Sequence, residues 1–245
     1  MEFRAVVPGV WLAVCGTERA NVTLIAGEER ALLVDAGGSP DEGRALRAAA
    51  GRVLDVPLSY CVISHAHWDH AFGLAGLGDL ETMAHTSFAE VLACPENQAA
   101  AAQQGFDPAA LPPPGRLIDL IGALDLGGVT AEIVHLGAAH TAGDLIVAVP
   151  ERNLIVVGDL VEVDGPPQLD PTGSLDGWVD VLDGLQAMMH PGLLVIPGHG
   201  DPTDQSSLAQ TRRALTDSPR HGPVTARAKG VRPQWLGGAT SPTIG

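Results

Sequence analysis

Short apolar runs separated by turn residues dominate the first part of the chain. The runs Val10–Val14, Val22–Ala26 and Ala31–Val34 predict three successive strands, and residues 27–30 predict a hairpin turn between the last two. Strands joined this closely are typical of an antiparallel β-meander. A further apolar run, Tyr60–Ile63, predicts a buried strand that ends at the most polar cluster of the sequence.

From Pro40 the apolar spacing becomes helical. Leu46, Ala49 and Val53 recur on one helical face, and Pro57 ends the pattern. Later helices are predicted over Phe88–Gln104 with an interruption near Cys94, over Leu175–Met189 with Ser174 as its N-cap, and over Asp204–Leu215. Later strands are predicted at Thr82–Ala84, Leu117–Leu120, Val129–Leu136, Leu145–Val149, Leu154–Val157 and Leu193–Ile196. Two groups of strands mixed with helices predict an α/β protein in which two mixed sheets pack face to face and helices cover them.

Length and composition favour one domain. The chain has 245 residues, 45% of them hydrophobic and 18% charged, which is enough to form a complete core. We predict that residues 1–217 form this domain. Residues 218–245 are rich in Gly and Pro, contain no acidic residue and include Arg220, Arg227, Lys229 and Arg232, so they predict a basic C-terminal tail.

The formal net charge of −15 argues against two classes of partner. Such a chain repels phosphate backbones and anionic lipid, so nucleic acid and membrane are not expected partners, and a small-molecule substrate is. No apolar stretch is long enough to span a membrane and no secretory signal opens the sequence, which predicts a cytoplasmic protein. Cys15, Cys61 and Cys94 are too few and too widely spaced for a disulfide framework and are expected to be buried. The sequence leaves the oligomeric state open.

The strongest chemical feature is the run His65-Ala66-His67-Trp68-Asp69-His70, directly after a predicted strand. Residues two apart project the same way in extended chain, so His65 and His67 can bind one ion. Asp69 and His70 then reach a second ion beside it as the backbone turns. Trp68 is expected to pack beneath these ions, with lining of the substrate pocket as the alternative.

Three further segments repeat one rule, in which a strand is followed by glycine and then by a possible ligand. They place His140 after Gly137, Asp159 after Gly158, and His199 after Gly198. Each segment alone is weak evidence for a metal ligand, since an aspartate at a strand end is usually a cap or turn residue. Together they predict seven ligands for two metal ions. Asp35 also follows a strand, where it either supports a metal ligand or simply forms a turn.

In the order and spacing of these motifs, residues 8–217 resemble the metallo-β-lactamase superfamily, with H-x-H-x-D-H as the most specific part. The resemblance implies a four-layer αββα sandwich with the site along one edge of the sheets. It also implies that the first metal is bound by His65, His67 and His140, the second by Asp69, His70 and His199, and both by Asp159. Two Zn²⁺ ions are the expected cofactors, with Mn²⁺ or Fe as alternatives.

Such a ligand set predicts a hydrolase. Two cations about 3.5–4 Å apart would lower the pKa of a shared water, so that a bridging hydroxide attacks a carbonyl that one cation polarises. Asp69 is the predicted catalytic residue, because a carboxylate held beside that hydroxide can orient it and pass its proton to the leaving group. The expected substrate is a small-molecule thioester, ester or lactone.

Two alternatives remain from the sequence. One is a β-lactam hydrolase, although lactamases with the H-x-H-x-D-H motif lack the bridging aspartate that Asp159 resembles. The other is a persulfide dioxygenase with a single iron on His65, His140 and Asp159. A pocket of small and apolar loops at residues 15–21, 105–115 and 165–173 is expected to take an uncharged or apolar acyl group.

Overall fold

The computed structural model describes residues 1–163 and 165–217. Its strands are β1 (Arg4–Val7), β2 (Val10–Cys15), β3 (Ala20–Ala26), β4 (Ala31–Val34), β5 (Leu58–Val62), β6 (Glu81–His85), β7 (Arg116–Ile118), β8 (Ile121–Asp125), β9 (Thr130–His135), β10 (Leu145–Val149), β11 (Leu154–Gly158) and β12 (Leu194–Pro197). Its α-helices are α1 (Pro40–Ala50), α2 (Trp68–Ala71), α3 (Leu74–Leu77), α4 (Phe88–Leu92), α5 (Pro95–Gln104), α6 (Leu175–Met188) and α7 (Gln205–Asp217). Short 3₁₀ turns cover Pro108–Ala110 and Pro150–Arg152.

The strands form two mixed sheets. The first runs in the order β1-β2-β3-β4-β5-β6-β7, antiparallel as far as β4 and parallel from β4 onwards. The second runs in the order β12-β11-β10-β9-β8, with only β11 and β12 parallel. The predicted α/β class with two mixed sheets is therefore confirmed.

Three apolar clusters define the four layers. Between the sheets, Leu32 of the first sheet packs in one cluster with Ile133 and Val147 of the second. On the outer face of the first sheet, Leu46 of α1 lies in a second cluster with strand residues. On the outer face of the second sheet, Trp178 of α6 lies in a third cluster, which also contains residues of α7. Each sheet thus buries both faces, which explains why its central strands are almost uninterrupted apolar runs.

Local chemistry explains where the main helices begin. The Ser39 hydroxyl accepts a hydrogen bond from the backbone N–H of Glu42, and Pro40 occupies the first turn of α1. The predicted cap of α6 is confirmed, because the Ser174 hydroxyl accepts from the N–H of Gly177 at 3.0 Å. The predicted interruption near Cys94 is also confirmed, since α4 ends at Leu92 and α5 begins at Pro95.

The edge strands β1 and β8 were not predicted, and the predicted bounds of a third strand were shifted. The strand predicted at Leu117–Leu120 is β7, which ends at Ile118, after which the chain crosses to the second sheet and forms β8. The run that forms β8 contains glycine and exposes every second side chain, and β1 has little buried surface. Edge strands have fewer neighbours than central ones, so their apolar pattern is weaker.

The cysteines, the absence of a membrane-spanning stretch and the C-terminal tail were also predicted from the sequence. All three cysteines lie in the described part, where they are buried and form no disulfide. Within the described ranges, no helix combines the length and apolar character needed to cross a membrane. The predicted tail, residues 218–245, lies outside the described residues.

The sheets meet at the edge where the polar motifs lie. At the start of β3, the backbone N–H of Asn21 donates to the carbonyl of Gly198 at 2.7 Å, and Ala20 forms an isolated bridge with His199. On the other side, the N–H of Leu145 in β10 donates to the carbonyl of Ser64 at 2.7 Å. These bonds fix loops of one sheet to strand ends of the other.

Candidate metal centre

The structure brings all seven predicted ligands to this shared edge. His65 and His67 follow β5, and Asp69 and His70 lie in the single turn of α2. His140 comes from the loop between β9 and β10, Asp159 directly follows β11, and His199 follows β12. All except the half-buried His67 are buried, so these polar side chains need partners that compensate for lost hydration.

Three histidines form the first donor group. The Nε2 atom of His65 lies 3.0 Å from Nδ1 of His67, and Nε2 of His140 lies 3.1 Å from the same Nδ1 atom. The Oδ2 atom of Asp159 is 3.7 Å from Nε2 of His65 and 3.7 Å from Nε2 of His140. These four side chains have the composition and convergence of a site for one metal ion.

The second donor group consists of Asp69, His70 and His199. The Nε2 atoms of the two histidines are 3.2 Å apart, and Oδ2 of Asp69 is 3.3 Å from Nε2 of His199. The other oxygen of Asp159, Oδ1, lies 3.4 Å from Nε2 of His70 and 3.5 Å from Nε2 of His199. One carboxylate therefore faces both groups, with a different oxygen toward each.

Every histidine of the two groups has a partner for the ring nitrogen that points away from the centre. These pairs are His65 Nδ1 with the Ser64 hydroxyl (3.1 Å), His67 Nε2 with Asp170 Oδ2 (2.8 Å), His70 Nδ1 with Asp35 Oδ2 (2.8 Å), His140 Nδ1 with the Gln168 carbonyl (2.5 Å) and His199 Nδ1 with the Glu18 carbonyl (2.9 Å). Four of these partners are carbonyl or carboxylate oxygens, which can only accept, so the outer nitrogens of four rings carry the proton. The Ser64 hydroxyl already donates to Asp35, so it accepts from the outer nitrogen of His65. The inner nitrogens of neutral rings then present lone pairs to one another.

Facing lone pairs repel unless a cation lies between them, so this donor set fits divalent metal ions. Burial, together with the neighbouring His70, lowers the pKa of His65 well below its ordinary value. A ring that resists protonation is ready to act as a metal ligand. Nitrogen and oxygen donors in this ratio suit zinc and also accept manganese or iron.

Asp35 supports the second group rather than forming a plain turn. Besides accepting from His70, its carboxylate accepts the backbone N–H of Ser64 at 2.7 Å and the Ser64 hydroxyl at 2.9 Å. Its backbone has φ of 71°, a left-handed conformation that is uncommon outside glycine. A buried residue held in this conformation between two ligand segments indicates a functional constraint.

Asp170 is a supporting residue that the sequence did not identify. Burial raises its pKa, but hydrogen bonds from His67 and Thr172 outweigh that effect and lower the pKa to about 2. The carboxylate is therefore ionised when it holds the ring of His67. Asp170 begins the turn Asp170-Pro171-Thr172-Gly173, and such turns are too common to reveal a partner far away in sequence.

Two glycines allow the donors to approach. A Cβ atom on Gly198 would lie 2.0 Å from Oδ1 of Asp159, so any larger residue would displace the shared carboxylate. Gly158 has φ of 55°, which suits glycine and turns the chain sharply before Asp159. Steric constraints therefore explain why glycine precedes Asp159 and His199 in the sequence.

A cavity of about 230 Å³ opens beside His67 and His140. It confirms loops 15–21 and 165–173 as pocket walls, but α5 forms the remaining wall, and residues 105–115 do not line it. The expectation of a mostly small and apolar lining was wrong as well. The lining residues are Thr17, Glu18, His67, Trp68, Glu96, Asn97, Ala100, Gln103, Gln104, His140, Gln168, Leu169, Asp170 and Pro171. Trp68 thus borders the cavity.

Two histidines outside the donor groups, His85 and His135, contact each other. His85 and His135 stack with ring centroids 4.0 Å apart. His85 bonds to the Ser87 hydroxyl, and Nδ1 of His135 donates to the carbonyl of Asp144. These contacts agree with a structural role.

The chain is similar to several known proteins. The family model of the metallo-beta-lactamase superfamily matches residues 15–217. A curated relative, the acyl-coenzyme A thioesterase MBLAC2 of Gallus gallus, is 26% identical over 204 residues, covering 74% of this chain and 72% of the relative. A solved structure, a metallo-beta-lactamase from Pontibacter korlensis, superposes with a TM-score of 0.71 at 21% identity, covering 88% of this chain and 99% of that one. At this identity the solved structure supports the fold alone.

Proposed function

Because this chain belongs to the metallo-β-lactamase superfamily, we propose that it is a metal-dependent hydrolase that uses two divalent cations, with zinc expected, to cleave a small-molecule thioester, ester or lactone. The observation that supports two ions best is Asp159, whose two oxygens face two separate donor groups. The curated relative named as a thioesterase supports an activated acyl substrate.

When bound, the two cations would supply an acidified water and polarisation of the scissile carbonyl. The residues of this chain then have three tasks. The histidines hold the centre, with each ring fixed by an outer acceptor. Asp69 lies within the second group, 3.3 Å from His199, where its carboxylate can orient water and move a proton to the leaving group. The cavity beside His67 positions the acyl part of the substrate.

The second donor group distinguishes this proposal from the iron alternative. A mononuclear centre on His65, His140 and Asp159 would not need Asp69, His70 and His199, yet these three converge as closely as the first group. The same argument supports hydrolysis over oxygen chemistry. A β-lactam remains a substrate to include in the test, since it too contains an activated carbonyl.

The test combines metal analysis with a substrate panel. Protein purified without added chelator should contain close to two zinc equivalents per chain, measured by plasma mass spectrometry. It should hydrolyse a chromogenic thioester, ester or lactone faster than a β-lactam or a phosphodiester. A single iron with oxygen uptake on a persulfide would overturn the proposal.

The role of Asp69 is tested by Asp69→Asn, with Asp55→Asn, an exposed site, as the matched control. We expect Asp69→Asn to lower kcat at least about 100-fold, because general acid–base catalysis typically contributes that much. Metal content measured on the same sample separates proton transfer from ligand loss. Full activity in this variant would contradict the assigned role.

A further inference from the structure

The second donor group is assembled from both sheets. Asp69 and His70 follow β5 of the first sheet, whereas His199 follows β12 of the second. The loop that carries His199 has glycine on both sides of this residue, Gly198 and Gly200, and Gly200 has φ of 88°. Because the backbone of glycine is conformationally permissive, contacts from outside the loop must fix where the ring of His199 lies.

Asn21, near the start of β3 in the first sheet, makes three hydrogen bonds to this loop. Its backbone N–H donates to the carbonyl of Gly198 at 2.7 Å. Its side-chain Nδ2 donates to the carbonyl of Pro197 at 2.9 Å and to that of Gly200 at 2.7 Å. One residue of the first sheet therefore holds three of the four backbone carbonyls of residues 197–200.

The side-chain amide of Asn21 is buried, with the residue only 3% exposed, and acts on the loop as a donor. Carbonyl oxygens can only accept, so the NH₂ group must face them, and both of its hydrogens are used. The amide oxygen, Oδ1, has no hydrogen-bond partner among the described residues. An apolar residue of similar size at this position would leave both loop carbonyls without their donor.

The other bonds of the loop do not replace those of Asn21. The N–H of Gly198 donates to the carbonyl of Gly158 at 2.8 Å, which ties the loop to β11 in its own sheet. The Glu18 carbonyl accepts from Nδ1 of His199 and so orients the ring. The side-chain bonds of Asn21 join the loop backbone to the first sheet, so they set how far this backbone lies from α2.

We propose that Asn21 is a positioning residue for the second metal ion, because it holds His199 where its ring meets Asp69 and His70. The Nε2 atom of His199 lies 3.2 Å from Nε2 of His70 and 3.3 Å from Oδ2 of Asp69, so a small shift of the loop would open this donor group. The inference rests on the two-cation centre of the proposed function and adds a residue that sets the affinity for one cation. It predicts that this affinity depends on Asn21 far more than the other does.

The test measures zinc binding to the metal-free protein by competition with a chromogenic chelator, and so needs no substrate. Asn21→Leu keeps the approximate size of the side chain and removes both donors. We expect this variant to weaken one zinc equivalent about 10- to 100-fold, the range typical of a supporting partner of a ligand, and to leave the other nearly unchanged. The absorption of bound cobalt reports ligand geometry, so Asn21→Leu should alter the same cobalt equivalent that His199→Ala alters.

Thr23→Val is the matched control. Thr23 lies two residues further along β3, on the same face, and its buried hydroxyl has no hydrogen-bond partner among the described residues. The change removes a polar atom from the same strand and should leave both zinc affinities unchanged. Equal weakening of both zinc equivalents in Asn21→Leu, or no weakening of either, would overturn the inference.

A second variant covers the case in which Asn21→Leu does not fold. Asn21→Ala leaves room for water to bond to the two loop carbonyls, so it should give a smaller loss of the same zinc equivalent. If Asn21→Ala binds both zinc ions as tightly as the wild type does, the inference fails.

Hydrogen exchange of the chelated protein keeps this inference separate from the proposed function. Amides of residues 195–203 should exchange faster in Asn21→Leu than in the wild type, and Thr23→Val should match the wild type. If the wild type binds only one zinc ion, the two-cation function fails, and this exchange experiment alone decides whether Asn21 holds the loop. If the wild type binds two zinc ions whose affinities do not respond to Asn21→Leu, the positioning role fails and the proposed function stands.

Discussion

The two donor groups have similar side chains at their centres and differ in the residues that hold the outer nitrogens of their histidines. The second group is supported from the core of the first sheet. Its His70 bonds to Asp35, which lies at the end of the central strand β4. Two histidines of the first group depend on the pocket wall, because Asp170 holds His67 and the Gln168 carbonyl holds His140. The third, His65, contacts the Ser64 hydroxyl, which donates to Asp35. The segment 168–170 therefore supports two candidate ligands and lines the cavity at once.

Because of this difference, a substitution near Asp35 and one near Asp170 should not affect substrate binding equally. Changes near Asp35 should weaken mainly the second proposed metal and the stability of the fold, with a smaller effect on the first metal through Ser64 and His65, and should leave the cavity wall in place. Changes near Asp170 should alter the other metal and substrate binding together, because a carboxylate that orients a ligand also shapes the pocket. We therefore expect changes at the cavity face of α5 to alter substrate binding with less effect on the donor groups than changes at the 168–170 segment.

Replacing Asp159 should have the largest effect, because it removes the element that the two groups share. We expect Asp159→Asn to lower kcat/KM about a thousandfold, since metal-ion catalysis supplies several kcal/mol. Metal analysis should show that both equivalents are weakened. Retention of two tightly bound ions would contradict the bridging role.

Replacing Asp35 should affect mainly the second group. Asp35→Asn should weaken one of the two metal equivalents about 10- to 100-fold, as is typical when a supporting partner of a ligand is changed. Competition with a zinc chelator measures this loss. The KM of substrate should change little, and Asp125→Asn, at an exposed site, is the control. An equal loss of both metals would show that Asp35 supports the first group, through Ser64 and His65, as strongly as the second.

Replacing Asp170 should affect the first group and the pocket together. Asp170→Asn should weaken one metal equivalent about tenfold and also raise KM, because the residue lines the cavity. The depressed pKa of about 2 adds a pH dependence in the chelated protein. The stability contributed by Asp170 is present above the ordinary carboxyl pKa of 3.8 and is lost as the pH falls toward about 2. As the pH is lowered, the free energy of unfolding of the chelated protein should therefore fall less in Asp170→Asn than in the wild type.

The smallest effect concerns Asp144, which accepts hydrogen bonds from Thr141, the residue after His140. Burial raises the pKa of Asp144 to about 8. Between about pH 4 and pH 8 the folded state keeps a proton that the unfolded chain releases, so stability falls as the pH rises through this window. In the chelated protein, denaturant unfolding should show a steeper fall for the wild type than for Asp144→Asn. Parallel curves would exclude this contribution.

Much of the fold could be predicted from local pattern. The central strands β3, β4 and β11 are buried along almost their whole length, so their apolar runs stand out, and α6 begins directly after the serine expected to cap it. The edge strands β1 and β8 gave too little apolar contrast. The pocket wall at α5 was missed because its Ala- and Gln-rich sequence predicts a helix and does not indicate which of its faces lines the cavity.

By itself, the sequence determined the residue types and local spacing of the candidate ligands, because His65 to His70 lie within one strand end and one helical turn. Only the tertiary structure decided which partner orients each ring. His70 meets Asp35 across 35 positions, His67 meets Asp170 across 103, and His199 meets the Glu18 carbonyl across 181. Local pattern reports neighbours along the chain, whereas these contacts depend on how two sheets pack and align their ends.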